Sequence, residues 1–249
     1  MEIRYEALTL TELDDGTLSV IFCEKDAVRV TVPAKIDGRT VTTIGEEAFK
    51  DCKRLVSVTL PEGNAWDFEG FSKIEEYAFQ NCTALTKITI PDSVYTLARG
   101  AFHGCRSLIS AKFPRNCHLS AYAFSGCTAL KTLSPLSNVS EGLFSGCTAL
   151  GKITLTDTVS EIDEDAFEHC TALGEMTLPE SVKRVGALSF RGCLNLKKVI
   201  FLASDGWYAS NRYRAEDVAI DVSDPVSNAK RLATADFDDG TVCWYRKNN

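Results

Sequence analysis

The sequence lacks the residue patterns that mark most enzymes and metal sites. It has three histidines in 249 residues, His103, His118 and His169, and no C-x-x-C pair of the kind that holds zinc. The phosphate-cradling patterns G-x-x-x-x-G-K-[ST] and G-x-G-x-x-G are absent, and so is the nucleophile pattern G-x-S-x-G. We therefore expect no enzyme activity, no catalytic residue, no metal and no cofactor.

Long hydrophobic runs and a basic N-terminus are missing as well. The chain has no run of about 18 apolar residues, so we expect no transmembrane segment. The start, MEIRYEALTLTELDDG, has no basic segment followed by an apolar one. As given it carries no secretory signal, which favours the cytoplasm. A net charge of −7 at pH 7 gives no argument for nucleic-acid binding, and we expect a monomer.

What the sequence does contain is one phrase repeated seven times. Each copy reads apolar, three variable, a usually small residue, Phe, two variable, Cys, two variable, Leu. Successive cysteines of the repeat are 30, 23, 22, 20, 23 and 23 residues apart. The conserved phrase places phenylalanine at Phe49, Phe79, Phe102, Phe124, Phe144, Phe167 and Phe190, and cysteine at Cys52, Cys82, Cys105, Cys127, Cys147, Cys170 and Cys193. A period near 23 is typical of solenoids that stack one coil per repeat.

Within each coil the sequence predicts a short strand and a short helical turn. LTKITIP, at 85–91, alternates apolar and polar residues like a strand, and proline ends it. GEEAFKDC, at 45–52, reads as a helical turn with acids at its start. In the fourth repeat Pro135 replaces a strand residue, so a short strand is expected there.

The repeated cysteines could be disulfide halves, metal ligands, nucleophiles or core residues. Seven of the ten occupy one equivalent column, which argues against pairing, and no close pair exists to hold zinc. A buried free cysteine behaves as a small hydrophobe. We therefore predict that the Phe and Cys columns form the structural core, with unpaired thiols. So many free thiols indicate a reducing cytoplasm or the surface of an anaerobe.

The string IGEEAFKDCKRLVSVTLPEG, at 44–63, resembles the BspA-type leucine-rich repeat, also called the Treponema pallidum type. The resemblance covers roughly Ile36 to Phe201. It implies a curved solenoid used in recognition or adhesion, on the surface of bacteria or of some protozoa. The predicted fold is thus a repeat solenoid of the α/β leucine-rich repeat type, with seven coils and short parallel strands.

Both ends of the chain depart from the repeat. Two alternating runs around Asp15 and Gly16 indicate a hairpin, so 1–37 is interpreted as a β-rich N-terminal cap and 38–201 as the solenoid. The segment 202–249 is interpreted as an irregular C-terminal cap. Alternatively its aromatic residues Trp207, Tyr208 and Tyr213 form an exposed recognition tip, because such residues are favoured binding anchors.

Charge is distributed unevenly along the repeats. No Asp or Glu occurs from Ser93 to Ser140, whereas eight acids and one lysine lie between Glu141 and Glu175. The candidate partner-binding residues are Lys87, Arg99, Arg106, Lys112, Arg115, Lys131 and Lys152. They suit a protein or other macromolecular ligand, such as an acidic one; ordinary variation of surface charge is the alternative. Lys112 is the best single candidate, because its place in the repeat exposes it on the strand.

Two classes of function follow from this pattern. The first is a non-enzymatic recognition or adhesion module that presents a rigid repeat surface to a macromolecule. The second is a structural spacer or self-assembling scaffold module. Self-association through an end of the stack would distinguish the second class from the first.

Overall fold

The computed structural model describes residues 2–63, 70–203, 205–211, 218–234 and 242–246. The chain forms two compact units, Met1–Ser134 and Pro135–Asn249, here called unit 1 and unit 2. The prediction of a repeat solenoid with coils of about 23 residues is confirmed. In the described parts of the chain, no helix is both long and apolar enough to cross a membrane.

The regular secondary structure in the described part of unit 1 consists of short strands. In chain order they are β1 Glu2–Tyr5, β2 Leu8–Glu12, β3 Leu18–Cys23, β4 Arg29–Thr31, β5 Lys35–Ile36, β6 Arg39–Ile44, β7 Ser57–Thr59, β8 Lys73–Ile74, β9 Lys87–Thr89, β10 Thr96–Leu97, β11 Ser110–Lys112, β12 His118–Leu119 and β13 Thr132–Leu133. β13 stops before Pro135, which cannot donate to a ladder.

The first sheet of unit 1 runs in the order β1-β2-β3-β6-β8-β10-β12. The strands β3, β6, β8, β10 and β12 pair in parallel. One buried apolar residue of each coil is in register with that of the next: Ile44, Ile74, Leu97 and Leu119. The antiparallel hairpin β1–β2 covers the N-terminal edge of this sheet. Leu8 and Leu10 of β2 are buried. The hairpin predicted around Asp15 and Gly16 is the antiparallel pair β2–β3.

The second sheet of unit 1 holds the strands that follow the conserved leucine. β4 pairs in parallel with β7, and β9, β11 and β13 form a parallel ladder. The amide of Thr86 donates to the carbonyl of Val56 at 3.3 Å and links the two groups. Side chains alternate along these strands, so Val30, Ile88 and Ala111 are buried while their neighbours face out.

The predicted helical turn is not a helix but a series of turns. Two residues of each coil have left-handed φ angles: the one two places before Phe and the one just before Cys. The second column is Asp51, Asn81, Gly104, Gly126, Gly146, His169 and Gly192, with φ between 57° and 75°. Glycine, asparagine and aspartate tolerate this region best, which a helix never uses. The freed amides bond across coils instead; Phe79 N–H, for example, donates to Ala101 O at 2.8 Å.

Unit 2 repeats the same plan with fewer strands. Its elements are β14 Glu161–Ile162, β15 Glu175–Leu178, β16 Arg184–Val185, β17 Lys198–Phe201, β18 Trp207–Asn211, β19 Val218–Ala219, α1 Pro225–Thr234 and β20 Val242–Arg246. β14 and β16 pair in parallel, as do β15 and β17. The antiparallel strands β20, β18 and β19 extend the first of these sheets beyond β16.

Helix α1 begins with an Asp224 cap, whose carboxylate accepts the Val226 amide at 3.0 Å. Its buried Asn228 donates to the carbonyls of Val199 (3.2 Å) and Val222 (2.8 Å). Near its other end the carbonyl of Ala233 accepts a hydrogen bond from the amide of Gly192. In an earlier coil the equivalent amide, that of Gly146, donates to a carbonyl of the next repeat. The helix therefore takes the place of a further coil beside β17.

The phenylalanine and cysteine columns fill the interior of both units. All seven phenylalanines are 0% exposed, and all seven cysteines are at most 1% exposed. Neighbouring rings stack with centroids 4.7, 5.1 and 5.5 Å apart from Phe49 to Phe124, and 5.8 and 5.3 Å apart from Phe144 to Phe190. Every cysteine of the chain that the structure describes is a free thiol.

The thiol of Cys52 reaches the carbonyl of Cys23 at 3.7 Å. Five other thiols of the column share a different hydrogen bond. The Sγ donates to the carbonyl of the phenylalanine one coil earlier, at 3.1–3.2 Å: Cys82 to Phe49, Cys105 to Phe79 and Cys127 to Phe102 in unit 1, and Cys170 to Phe144 and Cys193 to Phe167 in unit 2. The same phenylalanine carbonyl also accepts a hydrogen bond from the backbone amide of the cysteine three residues after it in its own coil. The thiol thus satisfies the second lone pair of a buried carbonyl, which an alanine could not do.

Candidate partner-binding surface

The outward side of the β4, β7, β9, β11 and β13 strands forms one continuous patterned surface in unit 1, which we call the strand face. It has three rows of five residues, aligned by strand register and by amide bonds between coils. The rows are Val28, Val56, Thr86, Ile109 and Lys131; Arg29, Ser57, Lys87, Ser110 and Thr132; and Thr31, Thr59, Thr89, Lys112 and Ser134.

The strand face carries four cations and no acid. Arg29, Lys87, Lys112 and Lys131 are all exposed. Arg29 reaches the Ser57 hydroxyl at 3.4 Å, and no ion pair of these four side chains occurs among the residues that the structure describes. Since the whole chain has a net charge of −7, this surface is a local region of positive potential.

Lys112 lies at a shallow groove of about 460 Å³ across β9, β11 and β13. Hydroxyl side chains line it, among them Thr89, Ser110 and Ser134, and Asp92 stands in the turn beyond the strand. The Ser134 hydroxyl accepts the Phe113 amide at 3.0 Å, which fixes that rim. The groove offers an ammonium group, several hydroxyls and the carboxylate of Asp92 to a ligand.

The acid-free run in the sequence does not correspond to one surface. Lys87, Lys112 and Lys131 meet on the strand face. Arg106 is exposed just after the conserved cysteine, and Arg115 is exposed in the turn after β11. Neither belongs to the three rows of the strand face, because they occupy other segments of the coil.

Arg99 lies on the turn segment instead. Its guanidinium stands 4.8 Å from the ring centroid of Tyr122, and its Nε donates to the Tyr77 hydroxyl at 3.3 Å. Cation–π stacking of this kind holds an arginine side chain in place. Lys152 belongs to unit 2, where it is exposed in a segment without a regular strand.

Sequence reasoning missed Arg29. We assigned 1–37 to the cap, yet β4 pairs in register with β7, Arg29 opposite Ser57. The signal was present in VRVTVP, at 28–33, which has the pattern of VSVTLP, at 56–61. Matching these two strings would have extended the strand face by one coil.

The expectation of an exposed aromatic tip is wrong for Trp207. This residue is 2% exposed, its ring meets Phe201 edge-on at 4.7 Å, and its Nε1 donates to the Ala203 carbonyl at 2.8 Å. The reason is that Phe201 ends the last repeat strand and needs an apolar cover. Tyr208 is half-buried beside Tyr245, with ring centroids 6.1 Å apart. Tyr213 lies outside the described residues.

The three histidines occupy unrelated places in the coils. His103 is half-buried in a turn, and burial lowers its pKa. His118 is exposed on β12, and His169 is exposed at a left-handed position 3.7 Å from Glu168. No group of three or more His, Cys, Asp or Glu residues suited to a metal ion occurs in the described part of the chain.

Comparison with known proteins gives a consistent result. The family model described as the BspA type leucine rich repeat region matches residues 21–141 and 137–208, with six copies. No curated protein matches the chain.

Solved structures of bacterial leucine-rich repeat proteins are similar to this chain. A leucine rich cell surface protein from Faecalibacterium prausnitzii A2-165 has a TM-score of 0.68 and 28% identity, over 83% of this chain. The match covers 56% of that protein.

Two further structures share the fold at lower identity. The T. pallidum leucine rich repeat protein has a TM-score of 0.56 and 20% identity, over 79% of this chain and 91% of its own. The pneumococcal vaccine antigen PcpA has a TM-score of 0.50 and 20% identity, over 84% of this chain and 51% of its own.

Proposed function

Because the chain belongs to the BspA-type leucine-rich repeat family, we propose that it is a non-enzymatic recognition or adhesion module that binds an acidic macromolecule on the strand face of unit 1. The observation that carries this proposal is the composition of that face. Its three rows of five positions hold four cations and no acid, in a chain with a net charge of −7.

The rigid backbone under the strand face favours recognition without chemistry. The cations stand on strands whose spacing is about 4.8 Å, so Lys87 and Lys112, diagonal neighbours on β9 and β11, have Cα atoms roughly 8 Å apart. An extended acidic polypeptide that crosses the strands could meet these ammonium groups in succession. The hydroxyls between them would donate hydrogen bonds to carboxylates or backbone carbonyls.

Electrostatics would act mainly on the rate of association. Exposed charges on both partners steer the encounter and raise the association rate, while each exposed ion pair adds little to affinity. Val28, Val56 and Ile109 in the adjoining row supply apolar contact area beside the charges. The combination of a charged row and an apolar row suits an acidic polypeptide.

The cell surface is the location that we propose for this interaction. The similar protein from Faecalibacterium prausnitzii is described as a cell surface protein, and 28% identity to it supports the same location here. Since this chain covers 56% of that protein, any role of the remaining part stays outside this proposal.

The test uses a defined acidic polypeptide. Poly-L-glutamate would be immobilised, and the association rate of the protein would be measured at about 20 mM and about 200 mM salt. The Debye length is longer than about 10 Å at the lower concentration and shorter than about 10 Å at the higher one. The double variant Lys87→Glu and Lys112→Glu should associate about tenfold more slowly at low salt, and with weaker salt dependence, because the steering field is reversed.

The matched control is Lys197→Glu with Lys198→Glu, which makes the same change of net charge on two exposed lysines of unit 2. It should leave association nearly unchanged. Equal rates for wild type and the double variant at low salt would refute the assignment to the strand face. An equal loss in the control would show that net charge, not this surface, governs binding.

A further inference from the structure

A second groove lies on the other sheet of unit 1. It has a volume of about 750 Å³, larger than the groove on the strand face. Its lining comes from β8, β10 and the residues next to them, including Lys73, Glu75, Glu76, Tyr95 and Thr96, and from Glu46 after β6. None of these residues belongs to the strand face, so this groove is a separate feature of the surface.

The strand register explains which side chains reach this groove. Ile74 and Leu97 pair across β8 and β10 and are buried, so the preceding residues Lys73 and Thr96 face outward. Two glutamates, Glu75 and Glu76, follow β8 directly. Glu46 follows β6 in the same manner, which places carboxylates on two consecutive coils.

Tyr95 contributes an aromatic surface at the start of β10. The residue is 40% exposed, and its carbonyl accepts the His118 amide at 2.7 Å, which anchors the backbone. A tyrosine ring offers an apolar surface with a polar hydroxyl at its tip. A partly exposed ring in a concave, mainly apolar site with a few charged side chains is suited to stack against a flat ligand surface of mixed character.

The charges of the groove restrict its ligand. Glu46, Glu75 and Glu76 are exposed, and within the described ranges none of them forms an ion pair. Three carboxylates repel an anion, while the ammonium of Lys73 in the same groove opposes a cationic side chain. A neutral ligand with many hydroxyls avoids both costs: its O–H groups donate to the carboxylates and its oxygens accept from Lys73.

We infer that this groove is a binding site for a neutral saccharide chain, which stacks a sugar ring on Tyr95 and hydrogen-bonds to the glutamates and Lys73. A sugar ring has an apolar face of C–H groups and a rim of hydroxyls, which match the ring of Tyr95 and the polar lining in turn. This site is independent of the acidic partner on the strand face, so the two proposals stand or fall separately.

Titration calorimetry with maltohexaose, cellohexaose and a chitin hexamer tests the inference. At least one of these neutral hexasaccharides should bind, with little change between low and high salt because no ligand charge is involved. Tyr95→Ala should weaken that binding at least about tenfold, as expected for an aromatic anchor. Glu75→Gln keeps the side-chain shape and should weaken it less, which provides a second variant if Tyr95→Ala folds poorly.

Tyr5→Ala is the matched control, since Tyr5 is 37% exposed in the N-terminal hairpin, close to the value for Tyr95, and lies outside the groove. It should bind the saccharide like wild type. The inference is overturned if no hexasaccharide binds at millimolar concentration, or if Tyr95→Ala and Glu75→Gln both bind normally. Salt-sensitive binding of hexalysine in place of the sugars would assign the groove to basic peptides instead.

Discussion

The outward sides of the repeat strands have the same parallel pairing in both units but differ in how charged residues are arranged. In unit 1, Lys87 and Lys112 stand among hydroxyl and apolar side chains. In unit 2, β15 and β17 pair with Glu175 opposite Lys198, and these side chains approach to 3.8 Å. Lys198 therefore has an acidic partner on the neighbouring coil, whereas Lys87 and Lys112 form no ion pair with any residue that the structure describes.

The interiors of the two units differ far less than their surfaces. Phe102 in unit 1 and Phe167 in unit 2 each stack on a ring before and a ring after them. Cys105 and Cys170 each donate to the carbonyl of the preceding phenylalanine, at 3.1 and 3.2 Å. The comparison teaches that the inward positions preserve the coil, so the outward positions are free to encode recognition.

The largest expected effect is a loss of folding stability at alkaline pH, which should act on both units alike. Burial raises the pKa of Cys105 and Cys170, and it raises that of Cys117 and Cys193 to about 12. In the unfolded chain the same thiols ionise near their ordinary pKa of about 8.5. The folded state then binds more protons above that pH, so stability falls as pH rises from about 8.5 towards 12.

Urea unfolding between pH 8 and pH 10 checks this prediction. The free energy of unfolding should decrease with pH, and the variant with Cys105→Ala and Cys193→Ala should show a shallower decrease because fewer thiols titrate. Cys243→Ala is the control, since Cys243 is only half-buried. A pH dependence that is the same in all three proteins would contradict a role for the buried thiols.

The next largest effect concerns the aromatic stack. Phe102→Ala and Phe167→Ala should each lower the free energy of unfolding by about 3–5 kcal/mol, because each removes a fully buried ring and leaves a cavity. Phe22→Ala should cost much less, since Phe22 is 43% exposed. Urea unfolding measures all three. A loss below about 1 kcal/mol in either unit would show that the stack of that unit is not its core.

The smallest expected effect is the change in folding stability when an exposed strand lysine of either unit is removed. Lys198→Ala breaks the ion pair with Glu175 and should change the free energy of unfolding by less than about 1 kcal/mol, because the pair is exposed. Lys112→Ala breaks no described ion pair and should change stability still less. Thermal unfolding at low and high salt checks both. A larger, salt-independent loss for Lys112→Ala would mean that this residue supports the fold rather than binding.

The repeat register could be predicted from the sequence because each column carries a distinctive residue type. Phe124 and Cys127, for example, follow from the phrase alone, and both are buried. The side of the coil on which each charged residue lies could not be predicted, because a run of charges such as Arg99 to Lys131 passes through every side of a coil. Strand register alone separates Lys112, on the strand face, from Arg99, stacked on Tyr122.

Two further features required the structure. The acids of GEEAFKDC and its relatives looked like the start of a helix, but left-handed residues such as Asp51 and Asn81 replace the helix with turns. The short polar side chains and glycines of that column were the available signal. The groove beside Tyr95 could not be foreseen either, since it joins Glu46, Lys73 and Thr96, which lie in three different coils.

The hydrogen bonds between turn segments have a consequence for how such a chain changes over generations. The amide of Phe79 bonds to Ala101 and that of Phe102 to Ala123, so each coil presents to the next the same groups that it receives. Duplication or loss of one whole repeat preserves these bonds, and so do length changes elsewhere in a coil, since the amide of Phe49 bonds to Ala78 across a spacing of 30 residues. The gene can therefore lengthen or shorten the displayed surface in whole steps without redesigning the interior.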